Sequence, residues 1–176
     1  MANVKIKVFA VGFAGALALS AFAGLRTSEI LRMTWQDIDL VRGHIKAIAR
    51  KRGTPSRRFV TLTDNLRQWL EPYANRTGLV WLKSETDRKR AEDLFSVAQT
   101  TTSEAAKVPW KKNALRHSFI SYRLAEVEDV AATALQAGNS PGTIHKHYRE
   151  LGTKSEAKAW FSIAAEQPAN VTSLTG

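Results

Sequence analysis

The chain contains no cysteine. That excludes a disulfide framework and any thiolate metal site, and it fits a reducing cytosol. Carboxylates are missing over one long stretch, Leu40 to Thr63, where Arg42, Lys46, Arg50, Lys51, Arg52, Arg57 and Arg58 stand without an acidic neighbour. No internal repeat, low-complexity tract or linker interrupts the 176 residues, a length suited to one domain with its own core. Long apolar runs are scarce as well. Residues 8–25 form the main one, short and rich in Gly and Ala for a membrane-spanning helix. Two readings of that run compete. Behind Lys5 and Lys7, and ending in Ala21-Phe22-Ala23, it has the form of a signal peptide. It equally has the form of a buried helix stopped by Gly24, the preferred reading, because a capped helix follows at once.

What the chain has in excess is positive charge, +10 in total. Such a surplus favours a polyanionic partner, nucleic acid or an anionic membrane surface. The acid-free stretch predicts a basic β-hairpin, with strands at His44 to Ala49 and Phe59 to Leu62 and a turn at Gly53-Thr54-Pro55-Ser56. A hairpin of this kind gains affinity for a DNA backbone by releasing counterions. Arg50, Arg52, Arg57 and Arg58 are its candidate DNA contacts, joined by Lys146 and His147 further along.

Thr27 or Ser28 can cap a helix carrying Ile30, Leu31 and Met33, which places Arg26 directly before a helix N-terminus. Free N–H groups and the helix dipole attract anions there, and a guanidinium adds a bidentate fork suited to phosphate. The bland alternative is a solvated surface arginine. A second cluster runs from Asn113 to Tyr148: Asn-Ala-Leu-Arg-His-Ser-Phe, an apolar helix, Ala137-Gly138-Asn139, then His-Lys-His-Tyr-Arg. Tyrosine is a poor nucleophile at neutral pH, its phenol pKa being about 10. Lys146, His147 and Arg149 beside Tyr148 are expected to favour phenolate and to attract phosphate.

The remaining pattern is mostly helical. Helices are predicted after Thr63 or Asp64 (Leu66, Trp69, Leu70 and Tyr73 at helical spacing), over 84–101, from about Asn113, from Asp129 to Ala137, from Ser140-Pro141, and around Trp160 and Phe161. Leu79 to Leu82 reads as a short buried strand, and Thr100 to Lys107 as a loop. Trp35, Trp69 and Trp81 are assigned to the core. Residues beyond Gln167 look frayed.

Together these stretches resemble the catalytic domain of the tyrosine recombinases, the phage integrase family that includes the XerC/XerD-like site-specific recombinases. Gly24-Leu25-Arg26, then Ser28-Glu29, then Trp35 and Asp37-Ile38-Asp39 match the first box of that family. Residues 113–119 match its His-x-Leu-Arg-His-Ser-Phe box, and Ala137-Gly138-Asn139 its Leu-Gly-His box. The likeness covers about residues 9 to 163. It implies an α+β, mainly α fold with a small antiparallel sheet packed on helices, a catalytic domain over 1–166 and a flexible tail over 167–176. It also implies a cytoplasmic, DNA-associated enzyme that breaks and rejoins strands without metal or cofactor. By position, Arg26 and Arg116 clamp the scissile phosphate, and Tyr148 attacks it to leave a 3′-phosphotyrosine and a free 5′-hydroxyl. Glu29 and His117 are supporting residues.

Three departures accompany the likeness. Asn113 and Asn139 stand where the family has a histidine and a histidine or tryptophan, and asparagine hydrogen-bonds phosphate but transfers no proton near neutrality. Gly53 stands where the family's general-acid lysine falls, so Lys51 is the candidate for that role. The family's N-terminal core-binding domain is expected to be missing from these residues, as in a fragment or a truncated reading frame, so weak DNA binding by this chain alone is expected. The resemblance further implies self-association on DNA through a C-terminal segment; the helix around Trp160 and Phe161 is the candidate, with packing on its own core as the alternative. A catalytically impaired DNA-binding remnant, a type IB topoisomerase-like activity and a secreted basic protein stay open beside recombination.

Overall fold

The apolar run near the start of the chain becomes a helix, and the rest of the first core is built around it. The structure is a computed structural model that describes residues 13–51, 54–81, 88–148 and 152–165. Residues 8–12 of that run, Arg52, Gly53, Arg149 and the tail at 167–176 lie outside the described residues.

Helix α1 (13–22) buries Phe13, Ala16, Leu19 and Phe22. Alanine and glycine in this segment let other elements approach closely: a Cβ on Gly15 would lie 3.3 Å from the Trp35 ring and 3.4 Å from that of Tyr73. Gly24 ends α1 at φ +61°, where a Cβ would lie 2.2 Å from the Phe119 ring, so only glycine fits on both counts. Arg26 then leads in an extended conformation into the short helix α2 (Thr27–Ile30). Among the described residues no helix is long and apolar enough to cross a membrane.

A 3-10 turn at Trp35–Asp37 leads to a three-stranded antiparallel sheet, β1 (Ile38–Asp39), β2 (His44–Lys51) and β3 (Thr54–Thr61), in that order. The hairpin is longer than the sequence predicts. Its register runs from His44 opposite Thr61 to Lys51 opposite Thr54, so Thr54, Pro55 and Ser56 belong to the strand rather than the turn. Proline is tolerated because β3 is an edge strand whose outer N–H groups need no partner. Ile45, Ala47, Val60 and Leu62 face the core.

Helix α3 (Asp64–Leu70) and a 3-10 turn at Glu71–Tyr73 follow, and Tyr73 stacks on Trp35 with ring centroids 4.9 Å apart. Leu79 to Trp81 does not form the expected strand, and Leu82 lies outside the described residues. Leu79 makes an isolated bridge to Thr34, and Val80 N–H bonds Met33 C=O at 2.9 Å, a fastening too short to propagate a ladder. Helix α4 (Arg88–Ala106) runs past the residue where a loop was expected. Polar Thr100 to Ala106 contains no glycine or proline to stop it, and Thr102 Oγ1 bonds back to Ala98 C=O at 2.8 Å. It ends where Lys107 turns to φ +54°.

The second core holds α5 (Ala114–Val127), α6 (Val130–Ala137) and α7 (Pro141–Tyr148), packed through Phe119, Ile120, Leu124, Ala134, Ala137 and Ile144. Asp129 caps α6 by accepting from Ala132 N–H at 2.9 Å. Helix α8 (Lys154–Phe161), capped by Thr153 and Glu156, lies on its own chain: Trp160 Nε1 donates to Ala21 C=O at 3.0 Å and its ring meets Phe22 and Tyr122. Trp35 and Trp81 are buried and Trp69 is half-buried, as expected of core residues. The fold is mainly α with a small sheet, and the seam between the two cores is where the candidate residues gather.

Candidate active site

Arg116 sits in the first turn of α5 and is only 6% exposed. Burial of a guanidinium is tolerable only if its donors are used. Its Nη1 donates to Gly24 C=O, and its Nη2 donates to Ala137 C=O at 2.6 Å and to Asn139 Oδ1 at 3.1 Å. Those carbonyls lie just past α1 and at the end of α6, so one side chain ties both cores together. Burial, then the like charge of Arg26, pulls the Arg116 pKa down to about 10.

Arg26 reaches the same spot from the other core. Its Nη2 donates to Asn139 Oδ1 and to Gly138 C=O, each at 2.8 Å, while Nη1 meets Glu29 Oε1 at 3.2 Å. Glu29 is 2% exposed and is shared: Arg58 grips it with both terminal nitrogens at 2.6 and 3.0 Å, and Arg26 N–H donates to it at 2.8 Å. Burial pushes the Glu29 carboxyl up, but the hydrogen bonds and charges of Arg58 and Arg26 outweigh it and hold the pKa below the usual value.

Arg58 is therefore not a DNA contact on an exposed hairpin face. It is 8% exposed, lies opposite Ala47 on the core side of the sheet, and also donates from Nε to Gln136 C=O at 2.7 Å. Alternation explains this, since Arg58 shares its face with Val60 and Leu62. Gly138, at φ +64°, leaves the space: a Cβ there would come 2.9 Å from Arg58 Nη1. Arg57, Lys146 and His147 are exposed. Strand β2 carries Arg50 and Lys51 at its end.

Tyr148 ends α7 with 6% of its surface exposed. Its hydroxyl lies 2.5 Å from His117 Nδ1, and the two rings stack with centroids 5.6 Å apart. The expected activation of the phenol by neighbours in sequence does not hold. Burial raises the Tyr148 pKa, and the opposing fields come from Arg116 and Arg26 rather than from Lys146 or His147.

Asn113, the N-cap of α5 at φ +58°, opens onto a cleft of about 690 Å³ shared with Arg26, Arg116, Trp110, Lys112 and Ser28. Lys112 and Trp110 were not singled out in the sequence, although they directly precede the second box. Three guanidiniums thus surround one carboxylate and one amide oxygen, leaving positive charge in excess at a place open to solvent through the Asn113 cleft. Among the described residues no group of three His, Asp or Glu side chains is placed to hold a cation.

The sequence profile of the phage integrase family matches residues 1–152. The chain belongs to that family. It is 28% identical over 146 residues to the tyrosine recombinase XerA of Thermococcus kodakarensis (strain ATCC BAA-918 / JCM 12380 / KOD1), a match covering 78% of this chain and 50% of the Thermococcus protein. The chain thus spans about half the length of that relative. A crystal structure of XerA recombinase superposes with a TM-score of 0.62 at 17% identity, over 85% of this chain and 55% of the other. The integrase of mycobacterium phage Brujita gives 0.59 at 18% identity, over 87% and 57%. The Tn1549 transposon integrase, solved in complex with circular intermediate DNA, gives 0.56 at 20% identity, over 82% and 55%. These likenesses fix the fold as that of a tyrosine recombinase catalytic domain.

Proposed function

We propose that this chain is a DNA strand-cleaving and rejoining domain in which Arg26 and Arg116 hold the scissile phosphate and Tyr148 attacks it. The observation that carries this reading is the convergence of both guanidiniums on one oxygen, Asn139 Oδ1. That amide oxygen occupies the position a non-bridging phosphate oxygen would take. A phosphate entering through the Asn113 cleft displaces Asn139 Oδ1 and meets donor forks already aimed at one point, so the charge of the pentacoordinate transition state is stabilised with only the Asn139 side chain turning. Asn139 and Asn113 then serve as hydrogen-bond donors to the phosphate, and Lys51 protonates the leaving 5′-oxygen. The linkage to Tyr148 conserves the bond energy, and a second strand's 5′-hydroxyl reverses the step.

Duplex DNA as the partner is supported by the +10 charge and the exposed Arg57, Lys146 and His147. Self-association on DNA belongs to this reading, although α8 packs on its own chain, so exchange would require it to undock. The catalytic domain is assigned to 1–166.

The test is covalent trapping on nicked duplexes with randomised flanks. A denaturation-resistant protein–DNA adduct is expected from the native chain and none from Tyr148→Phe. A second reading, a DNA-binding remnant that no longer cleaves, has one observation in its favour: neither asparagine can move a proton. DNA binding with no adduct at any pH would establish it.

A further inference from the structure

We propose that His117 is the base that removes the proton from Tyr148. This inference rests on the reading of Tyr148 as nucleophile and adds the group that activates it. The phenol is buried and its pKa raised, so a proton acceptor must be in contact with it for attack at neutral pH. His117 Nδ1 is in contact, at 2.5 Å from the hydroxyl.

The fold explains why the contact persists. His117 is in the first turn of α5, its own N–H held by Asn113 C=O at 2.9 Å, and it directly follows Arg116, whose three acceptors immobilise that turn. Tyr148 ends α7 in the second core, and its ring lies nearly parallel to the imidazole at 21°. With its proton on Nε2, the neutral ring presents an Nδ1 lone pair to the phenol. His117 is exposed, so the acquired proton can pass to solvent.

The step balances. The Tyr148 Oη–phosphorus bond forms, the phosphorus–O5′ bond breaks, the phenolic proton moves to His117 Nδ1, and the leaving oxygen takes a proton from the general acid assigned to Lys51. On rejoining, an incoming 5′-hydroxyl gives its proton to the Lys51 amine and attacks phosphorus, the Tyr148 Oη–phosphorus bond breaks, and the imidazolium returns its proton to the departing phenolate.

A substrate with sulfur in place of the bridging 5′-oxygen separates the two proton transfers, because a thiolate leaves without protonation. His117→Gln keeps a hydrogen-bond acceptor but takes no proton. It is expected to form adduct on the order of 100-fold more slowly than the native chain, on the oxygen and the sulfur substrate alike. His117→Ala opens a space beside an exposed position, and added imidazole is expected to restore much of its rate. Native rates for His117→Gln on both substrates would overturn the proposal, as would recovery on the sulfur substrate alone, which would make His117 the acid. If the native chain gives no adduct while binding the duplex, the parent reading falls and this one with it.

Discussion

Arg26 and Arg116 donate to the same atom, Oδ1 of Asn139, at 2.8 and 3.1 Å. One arginine belongs to each core, so the shared amide oxygen marks the place where the two halves of the domain meet. On the proposed function, these donors are assembled before any phosphate arrives.

If Asn139 stands in for phosphate, a carboxylate in its place should compete with the ligand. Asn139→Asp is expected to raise the thermal midpoint of the free chain and to abolish the stabilisation that millimolar inorganic phosphate gives the native protein. Asn139→Ala should lose about 1 kcal/mol of stability and regain it in phosphate. Scanning calorimetry with and without phosphate reads both.

Glu29 compensates two arginines at once, and removing it leaves them facing each other. Glu29→Gln is expected to cost roughly 3–5 kcal/mol in urea unfolding. The pH dependence follows from the direction of its pKa. The carboxyl titrates lower when folded than when unfolded, so its contribution is complete above the ordinary carboxylate range and fades as pH falls through the folded value. Stability of the native chain should therefore drop on acidification, and Glu29→Gln should flatten that part of the curve.

Arg116 holds three acceptors of its own chain and, on the proposed function, a phosphate as well. Lysine keeps the charge but offers a single nitrogen where two now serve Gly24, Ala137 and Asn139. Arg116→Lys is expected to lose about 1–3 kcal/mol by stranding a buried carbonyl, and to slow adduct formation by a factor on the order of 10² to 10³. Equal adduct rates in the two proteins would remove Arg116 from the phosphate site.

Two glycines give a graded pair. Gly138→Ala meets a left-handed backbone and the guanidinium of Arg58 at 2.9 Å, whereas Gly24→Ala meets a left-handed backbone and an aromatic ring at 2.2 Å. The first is expected to cost about 1–2 kcal/mol from the backbone conformation, and somewhat more as Arg58 gives ground against Glu29 and Gln136. The second should cost clearly more, because Phe119 is enclosed in the second core. Denaturant midpoints rank the pair.

What could be read from the chain beforehand was whatever depended on residue type in order: Arg26 before a short helix, Arg116 in its box, Tyr148 after a glycine break. Arg58 could not be read by counting cations, because its role depends on Glu29 and Gln136, residues remote in sequence that meet only once the sheet lies against α6. The alternation of Arg58, Val60 and Leu62 carried the hint. The polar composition of Thr100 to Lys107 suggests a loop, but no breaker stands there to stop α4 before Ala106. The partner of the Tyr148 hydroxyl was likewise invisible, since α5 and α7 must pack before His117 and Tyr148 can touch.

The carbonyl clasps of Arg116 bear on how relatives of this chain should be judged. Because that guanidinium holds the end of one helix against the end of another, a descendant that had abandoned DNA chemistry would still lose stability by giving it up. Finding the arginines in a sequence thus certifies a shape. On the proposed function, the phenol oxygen and the imidazole beside it are the atoms whose presence would distinguish a working enzyme from its silent kin.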